Sequence, residues 1–182
     1  QGKTVEKGLY IAKAFHNIST KNTELKCEFD YYFVSVYYEL NMFTKASDEY
    51  AKIEIPLKWT TRQYLEPKLL TLQGKINYQL GKYYEAEHIL MQAIAINDQF
   101  NLEEQWETYL FLSKSQIILN QPALALNSAQ IALELNENQE TIFIKSKVLL
   151  SMKDSEEAIQ VLQKVSVQDS NRTNAKKATL LG

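Results

Sequence analysis

One five-residue template governs what this chain can fold into. Gly74, Leu80, Ala86, Leu90 and Ala93 recur with the same internal offsets as Ser113, Leu119, Ala125, Ala129 and Ala132. They recur again downstream as Ser146, Met152, Ala158, Leu162 and Val165, and upstream as Val34, Leu40, Ala46, Tyr50 and Ile53. From Val34 to Gly74 to Ser113 to Ser146, successive copies lie 40, 39 and 33 residues apart. Fixed spacing inside each copy and variable spacing between copies marks a stacked array of like units. Small residues such as Gly74 and Ala86 suit two antiparallel helices crossing at the near end of the usual ~8–10 Å.

The stretch from Leu70 to Ile96 shows the unit most plainly. A first helix runs into the turn Leu80-Gly81-Lys82, and Tyr83, Leu90, Ala93, Ile94 and Ile96 then form the buried stripe of a second. Gly81 supplies the left-handed backbone position that ends the first helix without a Cβ penalty. Its counterparts are Asn41, Asn120 and Lys153, of which lysine is the type least suited to that position. One hairpin cannot cover its own apolar faces, so the copies must stack.

These residues resemble the tetratricopeptide-repeat family, whose pattern is Leu-Gly, an aromatic, then Ala, a large residue and Ala. Residues 67–100 match it best, through Gly74, Tyr78, Gly81, Tyr83, Ala86, Leu90 and Ala93, and residues 106–139 keep Tyr109, Leu112, Ala125 and Ala132. The resemblance implies an all-α fold, a right-handed superhelical solenoid of antiparallel helix pairs. About four repeats are expected, at 27–60, 67–100, 106–139 and 139–172, with half-repeats at 3–18 and 175–182, in one domain spanning 1–182. Half-repeats at both ends lead us to expect a longer parent protein. The resemblance specifies architecture and leaves the ligand open.

Along the chain, Val5, Leu9, Ala12 and Phe15 carry the spacing of a second helix with no first helix before them. The spacing predicts a helix from about Thr23 to Leu40 and its partner from Phe43 to Glu54, stopped by Pro56. Pro67 admits two readings. A helix capped by Thr60 or Thr61 would be kinked by it, or a shorter helix would begin at it. We favour the longer helix, because the repeat spacing leaves residues to spare. Asn101 to Glu104 and Asp154 to Glu157 read as helix starts, each a cap followed three residues later by an acid. Pro122 suits the first turn of another helix.

Composition narrows the function classes. A net charge of −2 and a pI near 5.8 argue against a general nucleic-acid binder. The lone Cys27 excludes an intrachain disulfide, and no run approaches the roughly eighteen apolar residues of a membrane span. His16 and His88 stand apart with no metal-ligand spacing, and no nucleotide loop or strained nucleophile turn is present. We therefore expect no enzyme, no metal and no cofactor, in a soluble, cytoplasmic setting.

A groove is the remaining candidate. First helices line the concave side of such an array. One residue after each small position stand Lys75, Lys114 and Lys147, and seven residues before Lys75 stands Lys68. Tyr78 and Ile117 follow Lys75 and Lys114 by three residues, with Tyr38 at the equivalent place upstream and Tyr31 seven residues before it. A ladder of lysines beside an aromatic and aliphatic strip would hold an extended or helical peptide with acidic side chains. The alternative is that these lysines are merely solvated, balanced by Glu107 and Glu140 at the Lys68 position of their copies. The expected role is thus a protein-interaction scaffold. The second reading is the sensing part of a larger bacterial signalling protein or transcription regulator. Self-association through uncovered apolar faces is a further expectation.

Overall fold

The computed structural model describes residues 10, 14, 23–54, 59–100 and 105–163. The delimited elements are α1 (Thr23–Glu39), α2 (Phe43–Tyr50), α3 (Trp59–Gln79), α4 (Tyr83–Phe100), α5 (Trp106–Ile118), α6 (Pro122–Leu135) and α7 (Gln139–Ser151). Residues 155–163 are helical as well, and no strand occurs among the described residues. The chain divides into two compact units, Gln1–Glu104 and Gln105–Gly182. In the first, α1 pairs with α2 and α3 with α4, and both α1 and α2 pack on α3. In the second, α5 pairs with α6, and α7 packs on both. The halves expected at 3–18 and 175–182 lie outside the described residues, Tyr10 and Ala14 excepted.

The four turns are built alike. Asn41, Gly81, Asn120 and Lys153 have φ of 58°, 77°, 58° and 65° and are the left-handed residues among those described. In each turn the following N–H reaches back five residues: Met42 to Tyr37, Lys82 to Asn77, Gln121 to Gln116 and Asp154 to Leu149, all at 2.9 Å. This wrap satisfies carbonyls that the helix end would otherwise leave open. The next helix then starts at once, and its first bond is always donated by the template alanine: Ala46, Ala86, Ala125 or Ala158. Lys153, the residue least suited by type, adopts the same backbone because its flanking bonds impose it. Two expected outcomes follow. Lys153→Gly should stabilise the fold by about 0.5–1 kcal/mol, and Gly81→Ala should cost about 1 kcal/mol. A Cβ at Gly81 meets no atom within 4 Å, so its cost is backbone strain alone, readable by urea denaturation.

The small positions lie at the crossings. Ala46, Ala86, Ala125 and Ala158 are fully buried, as are Leu90, Ala93 and Ala132. A Cβ placed on Gly74 would stand 2.5 Å from Cγ and Cδ2 of Leu90, so glycine is required there by close approach. Ser113, at the same register, uses its hydroxyl instead, donating to the Ala125 carbonyl at 2.8 Å across the α5–α6 crossing. Beside it Ser128 donates to Gln116 at 2.8 Å, a second buried polar pair at this crossing.

Pro67 lies inside α3, as the longer reading has it. It removes one helix bond, and the packing around it holds the helix together. Pro67 is fully buried, and Leu65 and Leu69 on either side form a core with Cys27, onto which Tyr31, Tyr50 and Ile53 pack. Thr60 and Thr61 fall within the helix rather than capping it, since α3 begins at Trp59. A second difference concerns α2. It ends at Tyr50, four residues before the predicted Glu54, through tightened bonds from Lys52 to Glu49 and from Ile53 to Tyr50. Leaving the helix there lets Ile53 reach the Cys27 core. The start signal at Asn101 to Glu104 lies outside the described residues; α5 begins at Trp106, after Gln105. Asp154 does cap the last helix, accepting from the Glu157 N–H at 3.1 Å. In that last copy the template loosens: Met152 and Leu162 are exposed, and Val161 fills the core place beside Ala158.

Candidate functional site

The site residues sort by unit. In the first unit, α3 carries Lys68 and Lys75 seven residues apart, two turns or about 10 Å along one face. Each ammonium sits on a tyrosine ring. Lys68 Nζ lies 3.6 Å from the Tyr64 ring centre, one turn up the same helix. Lys75 Nζ lies 4.9 Å from the ring centre of Tyr38, which α1 supplies. Gln79 donates to the Tyr38 hydroxyl at 3.4 Å, one turn further along α3. Tyr38 is in turn tilted against Phe43 at 5.5 Å, so its ring is gripped by three side chains. An aromatic face attracts a cation electrostatically and restricts its swing without neutralising it.

Tyr78 meets Tyr83 edge-on across the Gly81 turn, with ring centres 5.5 Å apart. Burial, and then the neighbouring Tyr83, push the Tyr78 hydroxyl up from its ordinary value. Tyr31 packs on the Cys27 core and lies edge-on to Tyr32 at 5.4 Å, so its ring takes part in the packing of the first unit.

In the second unit Lys114 is committed internally. Its Nζ lies 2.6 Å from Oε1 of Glu140, at the start of α7, and 4.4 Å from the Phe111 ring centre. Glu140 is the acid that the sequence offers as a counterweight, but it acts from the next helix rather than along its own. Its place in the first turn of α7 also suits the helix dipole. Ile117 is half-buried and Lys147 is exposed. Sequence reading missed Tyr64, which joins the face only because α3 starts before Pro67. It also missed the capping box at Asn138 and Thr141 that fixes where α7 begins, legible as Asn-x-x-Thr.

Cys27 is buried in the first unit's core. Burial first, then Asp30 and Glu28 nearby, raise its thiol from 9.0 to about 11. Burial foremost also raises the Tyr50 hydroxyl on the same core. A raised value favours the protonated folded state. Its stabilisation is complete below pH 9.0 and declines as pH rises toward about 11. We expect the first unit to lose stability through that alkaline window, and the thiol to resist maleimide at pH 7 until the core opens. Denaturation midpoints against pH, with labelling rates, check both. Among the described residues no three His, Cys, Asp or Glu side chains converge as a metal site would require. His88 bonds to Gln92 at 3.1 Å on its own helix.

Paired helices closed by turns of one backbone geometry, stacked pair on pair within each unit, define a helical-repeat fold. The tetratricopeptide-repeat model matches residues 67–100. Residues 67–100 are therefore a tetratricopeptide repeat, and the fold around them is the tetratricopeptide-repeat fold. Tetratricopeptide repeat protein 8 of Mus musculus is 31% identical over 103 residues, covering 56% of this chain and 19% of its own length. Among solved structures, YrrB, a TPR protein described as having an unusual peptide-binding site, superposes with a TM-score of 0.64 at 23% identity. That match covers 90% of this chain and 79% of YrrB. MamA MSR-1 C2 gives a TM-score of 0.60 at 18% identity, covering 92% of this chain and 95% of its own. No helix among the described residues is long and apolar enough to cross a membrane.

Proposed function

We propose that the α1–α3 wall of the first unit binds an acidic, partly apolar peptide or segment of a partner protein. The observation that carries this reading is the pair of ammonium groups at Lys68 and Lys75, each held on a tyrosine ring two turns apart. Lysines restrained in this way lose less side-chain entropy on capturing a carboxylate than freely moving ones. Tyr64 and Tyr78 beside them offer apolar surface with a polar edge, the mixture that recognition surfaces favour. Lys114, already paired with Glu140, contributes to the stacking of its own unit, and Ile117 and Lys147 extend the candidate surface there. The peptide-binding description of YrrB accords with this use of the fold. In a larger regulator the same wall would be the reading surface, with the output carried by other residues.

The test is selection of peptides from a random display library on the wild-type chain and on a Lys68→Glu/Lys75→Glu variant. Enrichment of acidic and apolar sequences that the variant loses is the expected result. Equal enrichment on both, or none on either, would remove the wall as a binding site.

A further inference from the structure

We infer that the chain associates head to tail with a second copy, the outer face of α1 on one molecule seating on the uncovered face of α7 on another. The inference goes beyond the peptide wall and uses neither Lys68 nor Lys75.

Among the described residues, the repeat register shows two faces without a neighbouring helix. The residue two places before the small position is Leu72 in α3 and Ile144 in α7, and both are buried; each of these helices packs on the hairpin before it. In α1 that residue is Tyr32, which is 62% exposed. The trailing side gives the complementary result. Three residues before and four after the small position stand Leu110 and Ile117 in α5, buried and half-buried where α7 packs on α5. In α7 the same positions are Phe143 and Leu150, 60% and 53% exposed, and the exposed Lys147 lies between them. Phe143, Lys147 and Leu150 are spaced as neighbours on one helix face.

The way α7 covers α5 indicates what would cover α7. There Glu140, six residues before the small position, pairs with Lys114, one residue after the preceding one, at 2.6 Å. A helix seated on α7 in the same manner needs an acid at the Glu140 register to meet Lys147. In this chain α1 has Glu28 at that register, with Tyr32 at the place of Ile144. Opposite charges at Glu28 and Lys147 therefore suit α1 of a second copy as the occupant of this face. The contact is heterologous, so its repetition yields rings or open assemblies rather than a closed symmetric dimer.

Sedimentation velocity of the full 182-residue chain over a concentration series tests this. The wild type should show a weight-average sedimentation coefficient that climbs with concentration. Glu28→Lys and Lys147→Glu should each weaken association roughly tenfold, a single mismatched charge pair. The double variant Glu28→Lys/Lys147→Glu should recover it, because both faces are then reversed together. Circular dichroism melts establish that the variants fold. A chain monomeric throughout, association indifferent to either reversal, or a double variant no better than the singles would each overturn the inference.

Discussion

Gly74→Ala is expected to destabilise the first unit by about 1–3 kcal/mol, the usual cost of forcing one more carbon into a filled core. The added Cβ would stand 2.5 Å from Leu90 Cγ, and Leu90 is fully buried with no open side to move into. Leu90→Ala alone should cost about 2–5 kcal/mol through lost burial and the cavity left behind. Together the two substitutions should cost less than their sum by about 1 kcal/mol or more, because the added methyl enters space the leucine has vacated. Urea denaturation of the four proteins gives the cycle. Strict additivity would show that Leu90 yields cheaply and that glycine is not held there by close approach.

The same chain contains the natural counterpart of that double variant. At the register of Gly74 and Leu90, the next copy has Ser113 and Ala129, both buried, and Ser113 gains a hydrogen bond to Ala125. The first copy has Val34 and Tyr50, with Val34 buried and Tyr50 only partly so, packed on the Cys27 core. Summed volume at the crossing is thus distributed differently in each copy, while the alanine twelve residues on stays fully buried. This is why the repeat was legible in the sequence despite low similarity between copies. The alanine and the turn are tied to backbone geometry, which admits few residue types, whereas the pair at the crossing need only fill a space together.

Other features were beyond sequence pattern for physical reasons. The place where α2 stops is decided by Ile53 turning onto a core built from Cys27, Leu65 and Leu69, residues of other helices. No local signal carries that information. The wall was partly legible: spacing places Lys68 and Lys75 on one face of α3. That Tyr64 and Tyr38 lie under them depends on α3 passing through Pro67 and on α1 packing beside it. The partner of Lys114 was legible as a residue type but not as a contact, since Glu140 reaches it from a separate helix.

Adjacent leucines in α7 give the sharpest test of which face does what. Leu149 is 1% exposed and belongs to the core of Leu133, Ile142, Ala158 and Val161, with Leu126 packed against it. Leu150, one residue and about 100° further round the helix, is 53% exposed. Leu149→Ala should therefore cost the second unit about 2–5 kcal/mol, whereas Leu150→Ala should stay within about 0.5 kcal/mol of wild type. Thermal melts at a concentration low enough to suppress association separate the two. If Leu150→Ala proved the more costly, α7 would be rotated from the orientation described. Its pairing of Glu140 with Lys114, and the face proposed to receive α1, would have to be abandoned with it. Helix orientation thus underlies both the stability of this unit and the placing of the face proposed to receive another chain.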